Sequence, residues 1–117
     1  MMMTVTDLLE KKCQHQDKAL TDAEIKAQLS VLTDWSLHDG AIQKPFTFRN
    51  YYETLAFVNA MAYVIHAEDH HPELVVTYKR CVVKFNTHSV NGGQGGISEN
   101  DFICAAKVDA IFQQSFA

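Results

Sequence analysis

The chain has 117 residues, 47 % apolar and 21 % charged, with a formal net charge of −4. Such a chain can bury a real core as one domain without disulfide or metal staples. Its acidic balance, with no basic run longer than Lys79-Arg80, argues against direct nucleic acid binding, and no segment approaches the about 18 apolar residues of a membrane span.

Residues 1–19 are polar and mixed, without a period, and are expected to be a flexible arm before a single domain over 20–117. They show neither the basic start nor the apolar run of a secretory leader. Cys13 and His15 together are too few ligands for a metal site. Cys81 and Cys104 lie in apolar stretches and read as buried reduced thiols, which points to the cytoplasm.

Thr21-Asp22-Ala23-Glu24 is a capping box, and Ile25, Leu29 and Leu32 follow at helical spacing, predicting a helix over about 22–33. Trp35 to His38 alternates, Asp39-Gly40 is a hairpin turn, and Ile42, Phe46 and Phe48 continue the alternation with Lys44 on the same parity. The hairpin spans about 35–49, with Pro45 suited to an edge or a bulge. Asn50 to Glu53 has the form of a second capping box. Leu55, Val58, Ala62 and Ile65 then mark a helix over about 51–68, which must end before His71-Pro72.

Residues 74–78 and 81–88 read as paired strands. Cys81, Val83, Phe85 and Thr87 share the core face, while His88 is placed at the strand end on the other face. The glycines of Asn91 to Gly96 fit a mobile loop, since neither a Walker lysine nor G-x-G-x-x-G is present. Ser98 opens the last helix, with Asp101 near its third position. The order α-β-β-α-β-β-α predicts an α+β fold: a four-stranded antiparallel sheet with helices packed on one face.

Three histidines carry the chemical interest. Histidine is the side chain whose ordinary pKa lies near neutrality. His70 and His71 end one helix, and His88 follows His71 by seventeen residues. In an antiparallel hairpin the start of the first strand lies beside the end of the second, which brings His71 near His88. His66 and His70 have i, i+4 metal-ligand spacing, but no H-E-x-x-H is present and no metal is expected. His15 and His38 read as exposed structural residues.

His70-His71-Pro72, Tyr78 six residues beyond Pro72, His88 ten further and Asp101 thirteen further closely resemble the signature of the pterin-4a-carbinolamine dehydratase family. So do Thr87-His88 and Ile97 to Phe102, and the resemblance spans residues 20–113. It departs at His66, where family members often carry glutamate, and in a longer loop through Gly92-Gly93-Gln94-Gly95-Gly96. The resemblance implies a homodimer or homotetramer that dehydrates 4a-hydroxytetrahydrobiopterin to quinonoid dihydropterin. That step serves aromatic amino acid hydroxylases. It implies no cofactor. It makes His70, His71 and His88 the catalytic or substrate-binding histidines, with Asp69, Pro72, Thr87 and Ser89 round the pterin and Asp101 as a supporting carboxylate. Water loss needs a proton given to the hydroxyl and one taken from the adjacent ring nitrogen. His71 is the expected donor, His88 its complement and His70 the group that orients the pterin. Some members of the family also act as dimerisation cofactors of a transcription factor, so a protein-binding coactivator is the alternative.

Overall fold

Side-chain caps set where the helices of this computed structural model begin; it describes residues 2–117. Thr4 caps α1 (Val5–Glu10) and Thr21 caps α2 (Asp22–Leu29), each in a reciprocal box with the acid three residues on. Asn50 caps α3 (Tyr51–Glu68) through Oδ1, which accepts from the Glu53 amide at 2.8 Å. The return half of that box is shifted by one residue, because the Glu53 carboxylate accepts from the Arg49 amide. Ser98 opens α4 (Glu99–Ser115).

The strands are β1 (Ser36–His38), β2 (Ala41–Thr47), β3 (Glu73–Val76) and β4 (Arg80–Phe85), in one antiparallel sheet of order β1-β2-β4-β3. The Asp39-Gly40 turn has positive φ at both residues, 50° and 77°, as a tight hairpin of this hand requires. Pro45 lies on an inner strand, yet β1 reaches only as far as Gln43, so the missing amide costs no ladder bond on that side.

Alternation puts Ile42, Phe46, Cys81, Val83 and Phe85 on the buried face, packed with Phe57 and Met61 of α3 and Phe102, Ala105 and Val108 of α4. The opposite face, with Pro45 and Val75 exposed, is open. Lys44 shares the core parity, and a cation there needs a partner. Its Nζ donates to Asp109 of α4 at 2.8 Å, and Asp109 also accepts from Trp35 Nε1 at 2.9 Å.

Four sequence expectations change. First, the N-terminal segment is not a loose arm. Leu8 of α1 is fully buried in the core, and the Gln28 side chain bonds Met3 through both its amide and its carbonyl. Secondly, α2 stops at Leu29 rather than 33. Val31 and Leu32 make tighter i→i−3 bonds, and Asp34 reverses the chain at φ 68°. Thirdly, β3 and β4 are shorter than 74–78 and 81–88. Thr77–Lys79 form the turn, and β4 ends at Phe85 because the chain leaves the ladder there. Fourthly, the glycine loop over 91–96 carries local structure that its composition does not announce. Asn91–Gly93 form a short 3₁₀ turn, and Thr87 and Gly96 exchange two backbone bonds of 2.8 and 3.1 Å.

Candidate active site

Two chain ends meet on the side of the sheet where α3 stops and β4 leaves the ladder. Asp69 adopts φ 50°, ψ 43°, the left-handed turn that ends many helices, and so swings His70 and His71 away from the α3 axis. Pro72 follows and starts the chain toward β3. Because β3 and β4 are antiparallel, Glu73 pairs with Lys84, and the residues after Phe85 come back beside Pro72. The rings of His71 and His88 then lie 6.0 Å apart, centre to centre.

A cleft of about 350 Å³ opens here. It is lined by Asp69, His70 and His71 from the end of α3, Asn86 to Ser89 from beyond β4, and Cys13 to Gln16 from the N-terminal segment, with Glu68 and Asn100 between them. His71 and His88 stand exposed at its mouth. Asp69, Thr87 and Ser89 line it as well. Pro72 and Asp101 do not: Pro72 turns the chain, and Asp101 lies beneath.

The floor is a closed polar network. Asp101 is fully buried, and its Oδ2 accepts from Thr87 Oγ1 at 2.8 Å and from the Ser98 amide at 2.9 Å. Thr87 has one hydroxyl proton and gives it to Asp101. Ser98 Oγ, which accepts from the Asn100 amide at 3.2 Å, therefore donates its own proton to Thr87 Oγ1 at 2.6 Å. Asp101 Oδ1 is left for His70 Nε2 at 2.6 Å. A carboxylate only accepts, so Nε2 carries the proton. His70 also stacks on Phe85, 5.9 Å between ring centres and 10° from parallel. Among the described residues no buried side-chain N or O lacks a partner, and His70 Nδ1 bonds nothing in the chain, so this nitrogen opens to the cleft.

Beside the histidines Glu68 is held by two donors, Lys107 Nζ at 2.8 Å and the Cys13 amide at 2.8 Å. Burial pushes its carboxyl up, and these donors together outweigh burial, leaving it below the usual range. Cys13 Sγ lies 3.5 Å from Cys104 Sγ. The contact with Cys13, together with burial, raises the Cys104 thiol. Among the described residues no three His, Cys, Asp or Glu side chains converge as metal ligands.

Tyr78, part of the sequence signature, is not at the cleft. It is exposed on the β3–β4 turn, with its ring 5.6 Å from Tyr51 at the opposite end of α3. His88 is not on a strand but three residues past the end of β4, aimed by the Thr87–Gly96 bridge. The contribution of Cys13 to Gln16 escaped the sequence reading entirely, and His15, read as merely structural, is among the lining residues. The one local hint was Asn100, whose side-chain carboxamide is free to bond elsewhere because the cap uses only its backbone N–H.

The family described as pterin 4 alpha carbinolamine dehydratase matches residues 18–111. A Bdellovibrio bacteriovorus protein named as a candidate pterin-4-alpha-carbinolamine dehydratase is 62 % identical over 116 residues, covering 99 % of this chain and 97 % of its own. A Nitrosospira multiformis protein of the same name is 46 % identical, covering 94 % and 96 %. Among solved structures, a protein described as a transcriptional coactivator/pterin dehydratase from Brucella melitensis superimposes with a TM-score of 0.73. It is 32 % identical and covers 80 % of this chain and 98 % of its own.

Proposed function

Since this chain belongs to the pterin-4a-carbinolamine dehydratase family, we propose that its cleft dehydrates a 4a-hydroxytetrahydropterin by histidine acid-base catalysis. The substrate is 4a-hydroxytetrahydrobiopterin and the product quinonoid dihydropterin, so the enzyme recycles the cofactor of an aromatic amino acid hydroxylase. The observation that carries this reading is the His71–His88 pair at 6.0 Å over a cleft whose third imidazole, His70, is locked to a buried carboxylate.

In the reaction the C–O bond to the hydroxyl breaks and a C=N bond forms to the neighbouring ring nitrogen. The hydroxyl leaves as water with a proton from His71. The N–H proton passes to His88. The two reacting groups sit on adjacent ring atoms, so acid and base must be close together, as these two rings are. Such help is typically worth about 10²–10⁴-fold. The nitrogen lone pair drives departure, so no cofactor takes part. His70 is the orienting group: with Nε2 committed to Asp101, its Nδ1 has a fixed direction and a fixed role toward the pterin. Thr87 acts through Asp101, Asp69 and Ser89 shape the rim, and Pro72 turns the chain that carries His71.

The test is stopped-flow decay of freshly generated carbinolamine. Acceleration well above the spontaneous rate is expected, and a rate equal to it sinks the proposal.

A protein-binding role is the second reading. The exposed stripe Tyr52, Leu55 and Tyr63 on α3 favours it, together with the coactivator description of the Brucella melitensis protein. The same stripe suits assembly into a homodimer or homotetramer in the cytoplasm. Light scattering of the purified protein should give a mass of two or four chains. A monomer would count against it.

A further inference from the structure

Residues 11–20 form neither helix nor strand, yet the backbone of this strap is pinned repeatedly around the cleft. Lys107 Nζ donates to the Lys11 carbonyl at 2.7 Å, and the Cys13 amide donates to Glu68. Asn100 takes both backbone groups of Gln14, accepting from its amide at 3.1 Å and donating to its carbonyl at 2.6 Å. Ser89 Oγ donates to the Gln16 carbonyl at 2.6 Å, and the Asn91 amide donates to the Asp17 carbonyl at 3.3 Å. The strap therefore runs from the end of α3, beside His70 and His71, to the residue after His88. It walls the cleft between the two histidine-bearing ends.

The Lys11 and Cys13 side chains add to that anchoring, through Glu99 and through Asn100 and Cys104, but those of Gln14 and Gln16 take no part in it. Gln14 and Gln16 line the cleft, one exposed and one half-buried, and among the described residues neither carboxamide bonds to the protein. His15 is different: its Nε2 lies 2.7 Å from Asp17. A carboxamide offers both a carbonyl acceptor and an N–H₂ donor, which matches the alternating amino and oxo groups on the polar edge of a pterin. An uncharged partner suits this neutral edge and leaves the imidazoles for the reacting one. We propose that the carboxamides of Gln14 and Gln16, set by the pinned strap, are the specificity-determining groups that bind the amino-oxo edge of the substrate. This rests on the dehydratase reading above.

The test has two arms. Gln14→Ala, Gln16→Ala and the double variant are assayed for carbinolamine turnover, and each is titrated with 7,8-dihydrobiopterin by fluorescence. Losing a hydrogen bond to a bound ligand is worth about tenfold. Each single variant should raise KM by about that factor and weaken dihydropterin binding equally, with kcat within about twofold. Thermal unfolding should not move, because neither side chain bonds the protein. Gln14→Glu, which keeps the shape but removes the donors, should behave like Gln14→Ala. An unchanged KM in the double variant, or a loss confined to kcat, overturns the strap assignment while the activity stands. A wild-type protein without turnover refutes the dehydratase reading instead, and the dihydropterin titration then decides the strap alone.

Discussion

Replacing Asp101 by asparagine removes one acceptor from a fully buried group that serves three donors: His70 Nε2 at 2.6 Å, Thr87 Oγ1 at 2.8 Å and the Ser98 amide at 2.9 Å. The new amide nitrogen cannot face Ser98, where two N–H groups would oppose each other. It must turn to His70 and donate to Nε2, which drives the imidazole proton to Nδ1. The nitrogen that opens to the cleft then changes character while the ring hardly moves. Hydrogen bonds to a charged group exceed neutral ones by about 1 kcal/mol. Three weakened bonds therefore predict a stability loss of about 2–3 kcal/mol, or about 10 °C in Tm at roughly 4 °C per kcal/mol for a domain of this size. One misdirected bond to the substrate, at about 1.5–3 kcal/mol, predicts a fall in kcat/KM of about 10–100-fold. Calorimetry and stopped-flow turnover read the two effects, and imidazole ¹⁵N shifts report the tautomer directly. If Asp101→Asn keeps both the wild-type kcat/KM and the Nε2–H tautomer, the orienting role of this network is wrong.

Other perturbations separate catalysis from stability. His71→Ala and His88→Ala should each lower kcat by about 10²–10⁴-fold. Both side chains are exposed, so unfolding free energies should stay within about 0.5 kcal/mol, and full activity in both variants would refute the pairing. Glu68→Gln should cost about 1–3 kcal/mol at neutral pH, because Lys107 and the Cys13 amide lose a charged acceptor. The folded Glu68 carboxyl lies below its unfolded value of 4.5, so its contribution is complete above that pH and is lost as pH falls through the folded value. Urea titrations of wild type and variant should therefore converge in acid; a constant gap would contradict the ion pair as its source. Burial pushes the Cys81 thiol up to about 11, and the contact with Cys13 together with burial raises Cys104, whereas Cys13 lines the cleft. Iodoacetamide at pH 8 should label Cys13 first and reach the other two only on unfolding, as followed by peptide mass spectrometry. Phe57→Ala should cost about 3–5 kcal/mol, since its ring packs 4.9 Å from Phe46 and 5.1 Å from Phe48 in the buried core.

What was legible in the sequence was local. Thr21 with Glu24, and Ser98 with Asp101, announce helix starts because a cap bonds residues three apart, and Asp39-Gly40 announces a turn because only certain residues accept positive φ. The period-two pattern of Cys81, Val83 and Phe85 found the core face, and the antiparallel return of β4 beside β3 was enough to bring His71 and His88 together. Where a signal had no local cause, the reading failed. The N-terminal segment has little periodicity, and its bonds reach Glu68, Ser89, Asn100 and Lys107 across separations of 55 to 96 residues. Several use backbone carbonyls, which every residue owns. The end of β4 was placed three residues late because Asn86, Thr87 and His88 continue the alternation after the chain has left the ladder.

The amino-acid sequence by itself therefore determined the elements beyond residue 20 and the α+β sheet, since each follows from neighbours along the chain. The tertiary structure alone decided that Asp101 serves His70 rather than either partner across the cleft, and that residues 13–16 line the cleft. Both depend on directions in space, the aim of one buried carboxylate and the path of one unstructured backbone, and spacing along a chain does not encode direction between distant parts of it.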